Sequence, residues 1–511
     1  MLWLCVLQPQ DAHAQCATSG SDPVTVTCAA NTTTTTTTNS TSPNAATSDR
    51  KQQFNADLIG QVNSGVTLNG VGFDLVTTKV GGGISFTNSG TVSTNFGPSA
   101  LQLDGDGGAV SYTGAGTISS STTSANGLVL NNTTGSITAT MTGGQIGAGG
   151  AEVSSGVVAT TVTGGINITA GPIFATVAGI NAQVTGGGSG GITVVASDIT
   201  TGIFNSPAIA SGIVGGTGNT SITLNGNINA GSDGVSASSS STGTMRIGGS
   251  GNISSVGRGI SLTNSATSTS GDITINPGGN ISSGSSPAIY AQITNAANNA
   301  NIFVTSTGVL SGGNFAAAGL GVIAATTAGG GNVTVTTSND ITSVVGPAIA
   351  TTTTSGNNTI NMTGGQIGTS GAPVDSGIVA TTVSGGINIT AGPIFATVAG
   401  INAQVTGGGS GGITVVASDI TTGIFNSPAI ASGIVGGTGN TSITLNGNIN
   451  AGSDGVSASS SSIGTMRIGG SGNISSVGRG ISLTNSATST SGDITINPGG
   501  NISSGSSPGI Y

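Results

Sequence analysis

The chain has 511 residues, of which 93 are glycine, 3% aromatic and only 5% charged, and its formal net charge is −9. An ordinary globular domain is excluded, because such domains carry about 25% charged residues, and plain disorder is excluded by a hydrophobic content of 35%, since disordered chains pair low hydrophobicity with high net charge. Only seven basic residues occur, with no cluster beyond Arg50-Lys51, so the basic footprint that nucleic acid requires is missing and no nucleic-acid partner is expected.

In chain order, residues 1–14 read as a signal peptide. Leu2 to Leu7 is a short apolar stretch, and Ala12-His13-Ala14 is an A-x-A cleavage site ahead of Gln15. The positively charged leader is missing, so the start reads as misassigned or truncated. No apolar run of about 20 residues follows, so no transmembrane helix is expected. Cleavage would remove Cys5, His13 and Trp3 and leave Cys16 and Cys28. In an oxidising compartment these two form one small disulfide loop. Residues 15–60 hold that pair, the run Thr32–Thr38 and Arg50-Lys51-Gln52-Gln53. They read as an N-terminal cap and linker that protects an exposed strand edge.

Residues 61–511 read as a repeat array. Met141–Tyr290 recurs as Met362–Tyr511 at an offset of 221, with eight differences: Ala148/Thr369, Gly149/Ser370, Glu152/Pro373, Ser154/Asp375, Val157/Ile378, Thr163/Ser384, Thr242/Ile463 and Ala288/Gly509. A finer period lies inside. A recurrent apolar residue falls at Val66, Val92, Ile118, Ile146, Ile173, Ile199, Ile228, Ile253, Ile281, Val309, Ile341 and onward to Ile502, in steps of 25–32 residues. Eight such steps separate Ile146 from Ile367, so the large duplication is a whole number of small repeats. Each repeat holds three short stretches of period 2, as in Ile222-Thr223-Leu224, Asn227-Ile228 and Gly234-Val235-Ser236-Ala237. They are too short for helices, rich in β-branched residues, and separated by Gly, Asn, Ser and Pro. The fold predicted is an all-β parallel β-solenoid of about 17 coils, each supplying about three strands. The residue before the apolar position is Asn227, Asn252, Asn280, Asn448, Asn473 or Asn501, with Asp198, Asp340, Gln366, Pro393 and Asp419 at other coils. Exchange of Asn for Asp suits a turn and not a catalytic or metal carboxylate. The expectation is a turn ladder of amides bonded to one another along the array.

Candidate chemistry is sparse. Without His13 a Ser-His-Asp or Cys-His site has no base. Glu152, the single Glu, is Pro373 in the second copy. Asp104 and Asp106, in Asp104-Gly105-Asp106-Gly107-Gly108, form a weak cation candidate. A calcium site needs about six to eight oxygen ligands, and a Gly-Asp turn is the preferred reading. No Gly-Lys pair exists, so a phosphate-binding P-loop is absent. No metal or cofactor is expected. The outward strand positions are mostly Thr, Ser and Asn. Such an array binds a surface weakly many times over, or is simply solvated.

A signal peptide, an early cysteine pair, a Thr-rich cap and degenerate coils such as Gly251-Asn252-Ile253-Ser254-Ser255 together resemble the passenger region of bacterial autotransporters, the monomeric type V secretion proteins of Gram-negative bacteria. Filamentous haemagglutinin-like proteins are the nearest rival. The resemblance implies a right-handed parallel β-helix. It also implies export through the periplasm to the cell surface, with the outer-membrane assembly machinery and the chain's own C-terminal β-barrel as partners; that barrel is missing from these 511 residues. Many such passengers are adhesins. A non-enzymatic adhesin or stalk is therefore expected, facing a host or environmental surface, with glycans among its ligands. The alternatives are a β-helix polysaccharide-active enzyme and a surface-layer or ice-binding repeat protein.

Overall fold

The computed structural model describes residues 16–34, 36–40, 49–202, 206–268, 271–284, 286–314, 320–423, 427–488, 492–505 and 507–511. The signal peptide read at residues 1–14 lies outside them. The described elements are all strands, with no helix, and the parallel stacked coils form a β-solenoid of about 16 turns.

The chain divides into two compact units, Met1–Asn181 and Ala182–Tyr511. In the first, Ala17–Ser19 pairs antiparallel with Val24–Cys28, and the Cys16–Cys28 disulfide ties the hairpin. Val24–Cys28 then pairs parallel with Leu58–Val62, and Thr32–Thr34 pairs parallel with Thr67–Gly70. Coiling thus begins inside the segment read as cap and linker. The cause is visible in the sequence: Val24, Val26 and Cys28 alternate inward and are buried, the period-2 pattern of a half-buried strand. This unit fills its interior with rings. Phe73 and Phe86 lie 6.2 Å apart between centroids, and Phe86 stacks on Tyr112 at 6.4 Å.

The second unit shows the three-strand turn in its plainest form. Met245–Gly249, Ile253–Ser255 and Ile260–Asn264 make one turn, and Ile273–Pro277, Ile281–Ser283 and Ile289–Ile293 make the next. Register is residue on residue. Met245 pairs with Ile273, Ile253 with Ile281, and Ile260 with Ile289. Each apolar side chain therefore stacks on its counterpart one turn away. Burying one such side chain contributes about 1.5–3 kcal/mol before entropy.

Two members of the apolar column differ from the expectation. Ile281 pairs with Leu310, not Val309, and Val92 pairs with Leu68, not Val66. Val309 is 41% exposed while Leu310 is buried. Val309 occupies the turn position that Asn holds elsewhere, whereas Val66 lies two residues before Leu68 and Thr67 takes the turn position; the residue type misleads and the register decides.

The recurring Gly-Asn-Ile triplet is explained by three adjacent columns. A Cβ on Gly251 would fall 1.9 Å from the carbonyl oxygen of Gly226, and one on Gly308 would fall 2.0 Å from that of Gly279. Successive turns approach too closely there for any side chain. The Asn column follows, then the buried Ile column.

Candidate functional site

The Asn column is a ladder, but its rungs are mostly not amide to amide. Asp198 Oδ1 accepts the backbone N–H of Asn227 at 2.7 Å, Asn227 Oδ1 that of Asn252 at 3.1 Å, Asn252 Oδ1 that of Asn280 at 2.8 Å, and Asn280 Oδ1 that of Val309 at 2.9 Å. Asn448, Asn473 and Asn501 repeat the pattern: Asn448 accepts from Asn473 at 3.1 Å and Asn473 from Asn501 at 2.8 Å. Among the described residues the side-chain amide donates along this column from Asn252 to Asn227 and from Asn473 to Asn448, each at 3.0 Å. What the next turn needs is an acceptor oxygen for an N–H at the strand entrance. Asp supplies it as well as Asn, which is why the two interchange.

A second ladder, not anticipated from the sequence, precedes the first strand in a run of successive turns. Asp272 Oδ1 accepts from Asn301 N–H at 2.8 Å, Asn301 from Asn332 at 2.9 Å, Asn332 from Asn357 at 2.8 Å, and Asn357 from Gly386 at 2.7 Å. Its signal was present in Gly271-Asp272, Gly331-Asn332 and Gly356-Asn357, each two residues or less before a β-branched stretch.

Asp104 and Asp106 are both engaged by neighbouring side chains. Asp104 Oδ1 accepts from Asn131 Nδ2 at 2.8 Å and Asp104 Oδ2 from Gln102 Nε2 at 2.8 Å. Asp106 Oδ1 accepts from Thr133 Oγ1 at 3.3 Å. Both carboxylates serve cross-turn hydrogen bonds. Among the described residues no three His, Cys, Asp or Glu side chains are grouped as a metal site would need.

The charged cluster the sequence did not announce lies in the first unit. Lys79 Nζ reaches Asp22 Oδ2 and Asp57 Oδ2, both at 2.7 Å. Asp22 Oδ1 also accepts the Asp57 N–H at 3.0 Å, and Asp57 Oδ1 the Gly83 N–H at 2.9 Å. The Lys79 hydrogen bonds, then these backbone N–H groups, hold both carboxyls below the usual carboxylate range. The two carboxylates in turn raise Lys79. In the same unit, burial pushes the Tyr112 hydroxyl up to about 12.

The two copies keep the same local contacts. Arg258 stacks over the Tyr290 ring at 4.2 Å, and Arg479 over Tyr511 at 4.2 Å. Ser241 Oγ donates to Gly218 O and Ser462 Oγ to Gly439 O, both at 2.6 Å.

One excursion interrupts the coils in each copy. At the tip of the first, Ala148 and Ala151 bond each other's backbone, and Gly150 N–H donates to Glu152 Oε1 at 2.9 Å. That bond holds the Glu152 carboxyl below its ordinary value. At the tip of the second, Thr369 and Ala372 make the backbone pair, and Thr369 Oγ1 accepts the Ala372 N–H at 3.0 Å. Beside the second tip lies a groove of about 210 Å³, lined by Thr369, Ser370, Pro373, Phe395, Thr397 and Thr421 among others. Compared with known proteins, this chain matches no family model, no curated protein and no solved structure.

Proposed function

We propose that this chain is the exported, surface-exposed passenger of an autotransporter-type system, acting as a non-enzymatic adhesin or structural stalk. The observation that carries the reading is the regularity of the outward face. Thr274 and Asn276 on one turn, Phe303 and Thr305 on the next, and Thr334 and Thr336 on the one after alternate with buried aliphatic residues. Five of these six outward positions carry a hydroxyl or an amide, the exception being Phe303, and such an array suits many weak, simultaneous contacts with an extended surface, where linkage of the sites raises avidity. The Cys16–Cys28 disulfide, expected of an oxidising compartment, adds support.

Antibodies raised against residues 61–511 provide the test. They are expected to label intact producing cells, and the exported protein is expected to begin at Gln15. Deleting the gene should lower adhesion of the cells to a coated surface. Labelling only after permeabilisation, with Met1 retained, would sink the export reading. Depolymerisation of a polysaccharide by the purified chain would replace the adhesin with an enzyme.

A further inference from the structure

The eight differences between the two copies are not scattered. Four of them, Ala148/Thr369, Gly149/Ser370, Glu152/Pro373 and Ser154/Asp375, fall within seven consecutive positions of 150. Even spacing would place fewer than one there. Three of the four lie in the excursion just described, and the fourth, Ser154/Asp375, lies in the strand that follows it; in the second copy the excursion's residues Thr369, Ser370 and Pro373 form one wall of the groove. The facing wall is held constant. Phe395, Thr397, Thr421 and Gly423 have the same residues at the matching positions of copy one, Phe174, Thr176, Thr200 and Gly202. An exposed tip tolerates change because little packs against it, and loops held on a rigid scaffold are where binding residues concentrate; the reading as a recognition site therefore rests on the groove that the tip borders.

The lining indicates the ligand. No charged residue is among the nine that line the second-copy groove, five of them carry hydroxyls, and the half-buried Phe395 supplies the one aromatic side chain of the lining. Thr397 Oγ1 donates to Val374 O at 3.4 Å, tying the constant wall to the base of the hairpin. A volume of about 210 Å³ lies below the roughly 300–1,000 Å³ of drug-sized pockets, so it fits one ring of a larger molecule. An uncharged ring with apolar C–H faces and hydroxyl edges matches an aromatic face bordered by hydroxyls.

We propose that the groove between the Thr369–Pro373 hairpin and Phe395 binds one neutral sugar ring of a surface glycan, and that the hairpin sets which sugar each copy prefers. The site deepens the adhesin reading and rests on it for its biological use. In copy one the loop carries the anionic Glu152 in place of Pro373, so the two copies select differently.

Saturation-transfer NMR on the full chain, with cellotetraose, maltotetraose and chitotetraose as probes, tests the site. At least one probe is expected to bind. Replacing both platform rings, Phe174→Ala with Phe395→Ala, should weaken it about tenfold, the larger part of what an aromatic face contributes. The exposed Phe96→Ala serves as control and should change nothing. If the double alanine variant loses its β circular-dichroism signal, Leu at both positions keeps the apolar bulk without the π face and should weaken binding similarly. Exchanging the second loop for the first (Thr369→Ala, Ser370→Gly, Pro373→Glu and Asp375→Ser together) should shift the order of preference among the three probes. Silence with all three probes, or parental binding by the folded double variant, overturns the groove. Cell adhesion is read separately. Adhesion that survives the loss of sugar binding leaves the groove a sugar site but removes it from adhesion, whereas sugar binding in a chain whose deletion leaves adhesion unchanged spares the groove and sinks the adhesin reading.

Discussion

The two units reach the same coil by different means. The first uses large side chains once each: Phe73, Phe86 and Tyr112 fill its interior, a disulfide closes its first hairpin, and Lys79 bridges two carboxylates. The second has small aliphatic columns, two oxygen-to-amide ladders and the larger part of the duplicated stretch, whose contacts repeat to within 0.1 Å or so at the Arg–Tyr and Ser–Gly pairs. The contrast teaches where cooperativity should lie. A stack of like turns is stabilised by nearest-neighbour terms, whereas a core of interlocking rings fails as a unit.

The largest effect should come from placing a charge in an aliphatic column. Ile228 is 1% exposed and stacks on Ile199 and Ile253. Ile228→Asp buries an unpaired carboxylate and should cost more than about 4 kcal/mol locally. Hydrogen exchange should show lost protection in the adjacent turns and native protection several turns away. Uniform loss across the second unit would break the nearest-neighbour picture. Phe86→Ala in the first unit should cost about 3–5 kcal/mol, and protection should fall together around Phe73 and Tyr112. Replacing Cys16 and Cys28 by Ser should cost about 2–4 kcal/mol and expose the first hairpin to protease without altering the second unit.

Much of this architecture was legible in the sequence because a solenoid writes its period into the chain. Ile253 and Ile281, like Ile260 and Ile289, recur at the spacing of a turn, and Gly-Asn-Ile marks three columns at once. What stayed hidden depended on register. Val66 and Val309 look like column members until pairing assigns that place to Leu68 and Leu310. The Asp22–Lys79–Asp57 cluster joins residues up to 57 positions apart, and no local pattern announces it. The groove beside Phe395 was equally invisible, although the substitutions that outline it were countable from the two copies.

A smaller effect separates the ladder's acceptor from its amide. Asn252 Oδ1 receives the Asn280 N–H, while its Nδ2 donates to Asn227. Asn252→Ala should cost about 1 kcal/mol, the net value of a typical hydrogen bond. Asn252→Asp keeps the acceptor and should lose only part of that. Equal losses in thermal unfolding would mean that the amide donor, and not the oxygen, carries the column.

The smallest effect is the pH response of the first unit, and its sign is fixed by the direction of each shift. Asp22 and Asp57 are held below their ordinary value by Lys79. Their contribution is therefore present above the unfolded carboxylate pKa near 3.8 and is lost as pH falls through the lower folded values. Lys79 is raised, so its contribution is present below the unfolded value of 10.5 and is lost as pH climbs through the higher folded one. The cluster should hold the first turns together across the broad interval between those limits and release them at either extreme. All three groups are solvent-facing, and salt should weaken the effect throughout. The check is protease susceptibility of the hairpin Ala17–Cys28 as a function of pH, compared with Lys79→Met. The variant should be more susceptible at neutral pH and indistinguishable from the parent in strong acid, where the parent's carboxylates are already protonated. A difference that persists unchanged at the acid end would mean that Lys79 acts through packing of its stem and not through its charge.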